Sequence, residues 1–292
     1  MKPSTPPVRI IPRLDIKGPN LVKGIHLEGL RVLGRPEHFA RHYYENGADE
    51  LIYVDLVASL LNRNSLLDIV ERTAREIFIP LCVGGGLRSL DDIRAVLRAG
   101  ADKVALNTAA LARPDFVREA ARAFGSSTIV VAIEAIRQAD GRHTCFTNCG
   151  REETDVEALE WAVRAAELGA GEILLTSVDR EGTGRGFDLS LTRAIADAVG
   201  IPVIAHGGAG CIEHVTQAIE QGHADAVCVA SLLHYDAVRR LKVDPADFAA
   251  EGNVEFLRRG GQDGFKKVKD QALPALKAAL GQAGIAVREL AA

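Results

Sequence analysis

A parallel (β/α)8 barrel is the fold class that this 292-residue sequence predicts, on three observations. Short apolar runs rich in Val and Ile alternate with longer amphipathic runs. The alternation occurs eight times, the number that closes a barrel. The second half of the chain also repeats the first, as expected when two four-strand units are related by a two-fold axis.

The short runs are IIPRL from Ile10, LIYV from Leu51, LCV from Leu81, VAL from Val104, IVVAI from Ile129, ILLTS from Ile173, VIA from Val203 and VCVA from Val227. Being apolar at successive positions, they read as strands buried on both faces. Helical spacing follows between them. Phe39, Ala40, Tyr43 and Tyr44 lead to a stop at Gly47, and Leu90, Ile93, Val96 and Leu97 to a stop at Gly100. Ser89 before Asp91 and Asp92 reads as a capped helix start. Cys145 and Cys149 lie in a polar, hairpin-like stretch. Residues 237–270 read as an elaborated connection after the eighth strand, before a last helix at 272–280 that ends at Gly281. Residues 1–7 read as a loose tail, and the whole chain as a single barrel domain.

The repeat shows at several places. GGGLRSL at 84–90 matches GGAGCIEH at 207–214, and ADKVALNTA at 101–109 matches ADAVCVASL at 224–232, both 123 positions on. GADELIYVD at 47–55 matches GAGEILLTS at 169–177 at 122, and RLDI at 13–16 aligns with AIEA at 132–135 at 119.

Composition narrows the function. With 47% apolar and 25% charged residues the chain is ordinary globular protein, not disordered, collagenous or coiled-coil. Its 35 Lys and Arg against 39 Asp and Glu leave a net charge of −4, which argues against a general nucleic-acid binder. An anionic ligand must therefore be held by local groups. The five cysteines carry no pairing or metal pattern: Cys145 and Cys149 lack a second ligand pair, so neither zinc nor another metal is expected, and no cofactor signature is present. No stretch approaches the roughly 20 apolar residues of a membrane span, and the N-terminus has no apolar signal core. The reading is a soluble cytoplasmic protein in a reducing compartment.

Barrels of this kind build their active face from the C-terminal ends of the strands. Asp15, Asp55, Asn107, Thr108, Glu134, Thr176, Asp179, His206 and Ser231 stand there. Any one of them equally reads as a cap of the turn that follows. Asp15 and Glu134 occupy equivalent places in the two halves, so the two-fold axis sets them across the mouth, as acid and base on either side of a substrate. The glycine clusters Gly84, Gly85, Gly86 and Gly207, Gly208 each follow a strand and precede a helix, where bare backbone and free N–H groups favour phosphate. With Asn107 and Thr108 in one half, and Ala230 and Ser231 in the other, they predict two phosphate sites and a long ligand. The segment after strand one, with four glycines and Lys23, reads either as a lid or as an ordered loop with a solvated lysine. Arg9, Glu50, Lys103 and Glu172 precede their strands at the opposite mouth. They read either as a salt-bridged rim or as a polar gate or docking ring.

RIIPRLDIKGPNLVKG, GADELIYVDLVAS, IPLCVGGGLRS, AGADKVALNTAA, FGSSTIVVAIEA, GAGEILLTSVDREGTGRGFDLSLTR and IPVIAHGGAG, in that order, resemble the cyclase subunit of imidazole glycerol phosphate synthase over about residues 8–236. The resemblance implies an ammonia-dependent lyase. Its substrate is a bis-phosphorylated formimino-aminoimidazole-carboxamide ribonucleotide, and its products are imidazole glycerol phosphate and aminoimidazole carboxamide ribotide. A class I glutaminase partner, in a heterodimer, would supply the ammonia. Asp15 and Glu134 then fall on the catalytic carboxylates. Lys23 and Gly24, Asp55, Thr176, Asp179 and Gly182 fall on substrate contacts, and the glycine clusters on the phosphate sites. Arg9, Glu50, Lys103 and Glu172 fall on an ammonia gate, and Asp102 on the interface.

The sequence departs from that pattern at Glu134 (usually Asp), Arg13 (usually small or Cys), His206 (usually Ser) and in the longer 237–270 connection. These departures keep open a paralogue that uses ammonia to amidinate a surface-sugar precursor. The related sugar-phosphate isomerase of the same pathway and a non-catalytic scaffold for a glutaminase also stay open.

Overall fold

The computed structural model describes residues 6–58, 66–261 and 267–289; the first five residues of the expected tail and residues 262–266 of the 237–270 connection lie outside them. The strands are β1 (Arg9–Lys17), β2 (Asn20–Ile25), β3 (Glu28–Gly34), β4 (Leu51–Asp55), β5 (Leu81–Gly84), β6 (Lys103–Leu106), β7 (Ile129–Arg137), β8 (His143–Thr147), β9 (Glu152–Glu157), β10 (Glu172–Ser177), β11 (Val203–His206) and β12 (Ala226–Val229). The helices are α1 (Pro36–Glu45), α2 (Leu67–Ala74), α3 (Leu90–Arg98), α4 (Thr108–Ala112), α5 (Asp115–Phe124), α6 (Ala158–Leu168), α7 (Leu189–Ala198), α8 (Ile212–Glu220), α9 (Ser231–Leu241), α10 (Glu255–Arg258) and α11 (Leu273–Gln282).

Eight strands form the barrel. β1, β4, β5, β6, β7, β10, β11 and β12 pair in parallel in that order, and β12 pairs with β1 to close the ring. All eight apolar runs read from the sequence are these strands. Closure buries each of them on both sides, which is why they are apolar at successive positions. Within the barrel every second side chain faces the axis. On β1 these are Arg9, Ile11, Arg13 and Asp15, while Ile10, Leu14 and Ile16 face the helices and are fully buried.

The helices start where local chemistry allows. Ser89 Oγ accepts the Asp92 N–H at 3.1 Å while the Asp92 carboxylate takes the Ser89 N–H at 3.0 Å, a reciprocal cap on α3. Two hairpins interrupt the strand–helix alternation, one in each half. β2–β3 follows β1, and β8–β9 follows β7. β1 and β7 are the two strands that the 119-position offset relates, so the hairpins belong to the repeat. The segment after α9 packs on the first hairpin, where Asn253 donates to Leu30 O and accepts the Val32 N–H through its own carbonyl. No described helix is long and apolar enough to cross a membrane.

Candidate active site at the C-terminal mouth of the barrel

β1 and β7 stand four strands apart in a ring of eight, so Asp15 and Glu134 face each other across the interior. Both are buried, at 1% and 6% exposure. Their surroundings push them apart. Burial works against the Asp15 carboxylate, but Arg13 Nε at 2.8 Å and the positive field of Lys23 outweigh it and hold its pKa below the ordinary value. Burial dominates at Glu134 and raises it to about 7, although Arg13 and the Gly150 N–H, 2.9 Å from Oε2, oppose the rise. The surroundings thus favour the ionised form of Asp15 and the neutral form of Glu134, so the two facing carboxyls differ in proton affinity.

The first glycine cluster opens into a cavity of about 350 Å3. Gly84, Gly85, Gly86, Asn107 and Thr108 line it together with Arg13, Glu134 and Thr176. Hairpin β8–β9 folds over it: Asn107 Nδ2 donates to Phe146 O at 3.2 Å, and the Asn148 N–H donates to Thr108 Oγ1 at 3.1 Å. Asn107 Oδ1 is buried without a partner. The second cluster, with Gly182, Ala230, Ser231 and His206, encloses only about 10 Å3. Ser231 Oγ and His206 Nε2 are buried there without partners.

The backbone superposes the two clusters one residue away from the match read in the sequence. Gly85 has φ +101° and a Cβ on it would meet Asp55 O at 2.4 Å; Gly207 has φ +100° and a Cβ would meet Ser177 O at 2.5 Å. Asp55 and Ser177 are 122 positions apart, and so are Gly85 and Gly207. The offset at the glycines is thus 122, not 123, and His206, not Gly207, is the counterpart of Gly84. Asn107 (φ −124°, ψ −89°) and Ala230 (φ −126°, ψ −86°) keep the 123 offset.

The reading of the segment after strand one as an ordered loop with a solvated lysine does not hold. The segment is a hairpin, and Lys23 is 1% exposed. Its ammonium pairs with Glu181 and donates to Gly24 O at 3.1 Å. Glu181 Oε2 also accepts the Leu27 N–H at 3.1 Å, locking the hairpin tip to the loop after β10. Lys23 is therefore neither solvated nor available to a phosphate in this arrangement. Gly24 serves the hairpin itself, since a Cβ there would strike Glu28 O at 1.9 Å. Asp55 Oδ1 accepts the N–H groups of Val57 and Ala58, both at 2.9 Å, which is the capping role. Thr176 Oγ1 accepts Arg13 Nη1 at 3.3 Å, and Asp179 accepts the Ser177 hydroxyl at 2.9 Å.

At the opposite mouth the four charged residues form one ring. Arg9 bonds Glu50 at 2.7 Å and Glu172 at 3.0 Å, and Lys103 bonds Glu50 at 3.0 Å and Glu172 at 3.1 Å. Glu50 is raised by its burial, with both cations opposing; Lys103 overcomes its own burial through the two glutamates and is raised. Asp102 is exposed on the same face and accepts the Leu81 N–H at 2.9 Å. Near it Phe78 stands 82% exposed.

The family model described as histidine biosynthesis protein matches residues 9–239. The chain is also 56% identical over 206 residues to the imidazole glycerol phosphate synthase subunit HisF of Legionella pneumophila, covering 70% of this chain and 97% of that protein. The chain belongs to the histidine biosynthesis protein family.

Within this family member, three site features were beyond sequence spacing. Glu181 partners Lys23 from 158 positions away. Gly150 reaches Glu134 from the hairpin turn, although the glycine beside Cys149 was the one hint that backbone comes close there. Arg13 crosses the interior from β1 to Thr176 on β10, past β12 and β11. Its presence beside Asp15 was visible in the sequence, but its reach was not.

Proposed function

We propose that the chain is the cyclase subunit of an imidazole glycerol phosphate synthase. It converts the bis-phosphorylated formimino-aminoimidazole-carboxamide ribonucleotide, with ammonia, to imidazole glycerol phosphate and aminoimidazole carboxamide ribotide. The observation that carries the proposal is the pair of buried carboxylates on opposite strands of one barrel mouth, with unequal proton affinities. It is supported by the named likeness to a HisF subunit.

In this reading the phosphates bind at the two glycine cradles, and the reacting centre lies between Asp15 and Glu134. Glu134 moves protons, because a carboxyl that titrates at about 7 gives and takes them readily at neutral pH. Asp15, kept ionised by Arg13, stabilises positive charge that develops as ammonia adds. Thr176 and Asp179 orient the middle of the substrate.

A glutaminase of class I docks on the N-terminal face, where Asp102 and Phe78 are exposed, and forms a heterodimer. Ammonia enters through the Arg9–Glu50–Lys103–Glu172 ring, which is the gate. The test supplies ammonium salt at high pH with the bis-phosphate substrate and no glutaminase. Turnover supports the proposal; its absence in folded protein rejects it.

A second reading, an ammonia-using paralogue that amidinates a surface-sugar precursor, is favoured by Arg13, Glu134 and His206. All three depart from the usual pattern, and all three stand at one mouth. Turnover on a keto-sugar nucleotide, with none on the bis-phosphate, would establish it instead.

A further inference from the structure

The outer strand of the first hairpin is covered by a segment beyond residue 239, where the family match ends. Among the described strands β3 pairs with β2 alone, so its other edge presents backbone groups to any segment beside it. Asn253 takes two of them. Its Nδ2 donates to Leu30 O at 2.6 Å, and its carbonyl accepts the Val32 N–H at 3.3 Å. Aromatic rings of the same segment hold the strand as well. Phe256 lies under the Arg31 guanidinium, 5.4 Å from the ring centre, and against Tyr235 of α9, with 5.3 Å between ring centres. Phe248 lies under Arg35 at 5.2 Å, and Arg35 donates to Asn20 Oδ1, at the start of β2, at 3.0 Å. Both phenylalanines are buried.

The hairpin in turn rests on the second cradle, which Glu181 and Gly182 help to line. Lys23 pairs with Glu181, and a Cβ on Gly182 would meet Gly24 O at 2.7 Å. The space left in the cradle is about 10 Å3, which takes roughly one water and no phosphate. A wall must therefore move before an anion enters. β11 and β12 are paired on both sides within the closed ring. The hairpin is joined to the ring by one edge only, β2 on β1 over Asp15–Lys17. It is the wall with the fewest bonds to break.

We propose that residues 243–261 are a strap that holds hairpin β2–β3 shut over the second cradle, with Asn253 and Phe256 as its positioning residues. The strap grips the outer strand, and the Lys23–Glu181 pair grips the tip, so both must give way when the cradle opens. The strap's polar hold is slight: Asn253 is exposed, and it makes two bonds to β3. A hold of that size suits an element that opens while the rest of the barrel stays folded. Resting on the reading above, in which this cradle takes one phosphate of the substrate, the strap governs how fast the ligand enters and leaves. It stabilises the closed hairpin with or without ligand, so it leaves the affinity unchanged.

Hydrogen exchange read by mass spectrometry on the full chain tests the strap without any ligand. Asn253→Gly keeps the backbone carbonyl and accepts the φ of +60° at that position, but loses the donor to Leu30. Phe256→Leu keeps an apolar side chain, loses the ring under Arg31, and stands in if Asn253→Gly does not fold. Each should speed exchange of the amides of residues 20–34 by about 2- to 10-fold, as expected for one lost hydrogen bond or ring contact, and leave β5 and β6 unchanged. Unchanged exchange at 20–34 in the folded variants, or equal acceleration throughout the barrel, overturns the strap. Its effect on ligand traffic is read with the bis-phosphate substrate in the absence of ammonia, the dissociation rate from exchange broadening in phosphorus NMR and the Kd from calorimetry. In Asn253→Gly the dissociation rate should rise by the same factor as the amide exchange, with the Kd within about 2-fold of the wild type. An unchanged dissociation rate overturns the effect on ligand traffic. If the bis-phosphate does not bind the wild type, the ligand reading fails, and the amide exchange still decides the strap.

Discussion

At the ends of β5 and β6 a cavity of about 350 Å3 opens; at the ends of β11 and β12 the corresponding space is about 10 Å3. The backbones of the two places agree: Gly85 and Gly207 share a φ near +100°, and a side chain at either would collide with a carbonyl of the neighbouring strand end. What differs is side-chain size. Gly84 in the open half is answered by His206 in the closed half. A duplicated frame has thus been kept while the exchange of Gly84 for His206 makes its halves unequal. A ligand with a phosphate at each end would meet two different sites.

The largest expected effect breaks the pairing of the acids. Asp15→Asn should lower turnover by about 10^2- to 10^4-fold, the usual scale for a positioned acid–base or charge-stabilising group. It also leaves the buried Arg13 guanidinium without its counter-charge, so a loss of about 3 kcal/mol or more in urea unfolding should accompany it. Activity retained in the folded variant would remove Asp15 from the mechanism.

Glu134 gives a comparable effect with a pH signature. Its folded pKa of about 7 lies above the ordinary 4.5, so the neutral form is favoured by folding. Stability from this group is full below about pH 4.5 and is lost as pH rises through about 7. The difference is on the order of 3 kcal/mol between the two ends. Glu134→Gln cannot ionise, so its unfolding free energy should lack this fall between pH 5 and 8. An unchanged slope would mean that Glu134 titrates normally.

Smaller, and aimed at the frame itself, is the pair Gly85→Ala and Gly207→Ala. Each forces a side chain to positive φ and against a strand carbonyl, at about 2 kcal/mol or more apiece. Similar losses of denaturant midpoint would support equal backbones; a loss in one half only would break the equivalence.

The barrel was legible because its strands are buried on both faces, and burial writes itself into LIYV, IVVAI and VCVA as unbroken apolar runs. The facing acids were legible for a related reason: duplication puts them at one offset. The glycine match slipped by one because GGG aligns with GGA as letters, while the fold aligns GGG with HGG; only the shared φ and carbonyl contact distinguish the two. The hairpin β2–β3 was read as a loop because its turn residues, His26 (φ +52°) and Leu27 (φ +61°), are not the glycine or asparagine that usually marks such a turn. Its tip is held instead by Glu181, far along the chain. Partnerships of that kind, like Arg13 with Thr176, depend on tertiary placement that no local spacing contains.

The smallest effect sharpens the comparison at His206. Burial and the positive field of Arg13 hold its pKa down to about 4, so at neutral pH the ring is uncharged. Nδ1 carries the proton and donates to Cys228 O at 2.9 Å, which leaves the Nε2 lone pair beside Ser231 in the second cradle. A phosphate dianion placed there meets a lone pair, not a donor. Binding must then bring a proton onto Nε2, or keep one on the phosphate. Calorimetry of the bis-phosphate substrate at pH 7, in buffers of different ionisation heat, should show uptake of about one proton, with affinity rising up to about tenfold per pH unit lowered. His206→Ser supplies a hydroxyl donor and should reduce the uptake. The first cradle has no histidine, so uptake that persists in His206→Ser would place the proton in the open half.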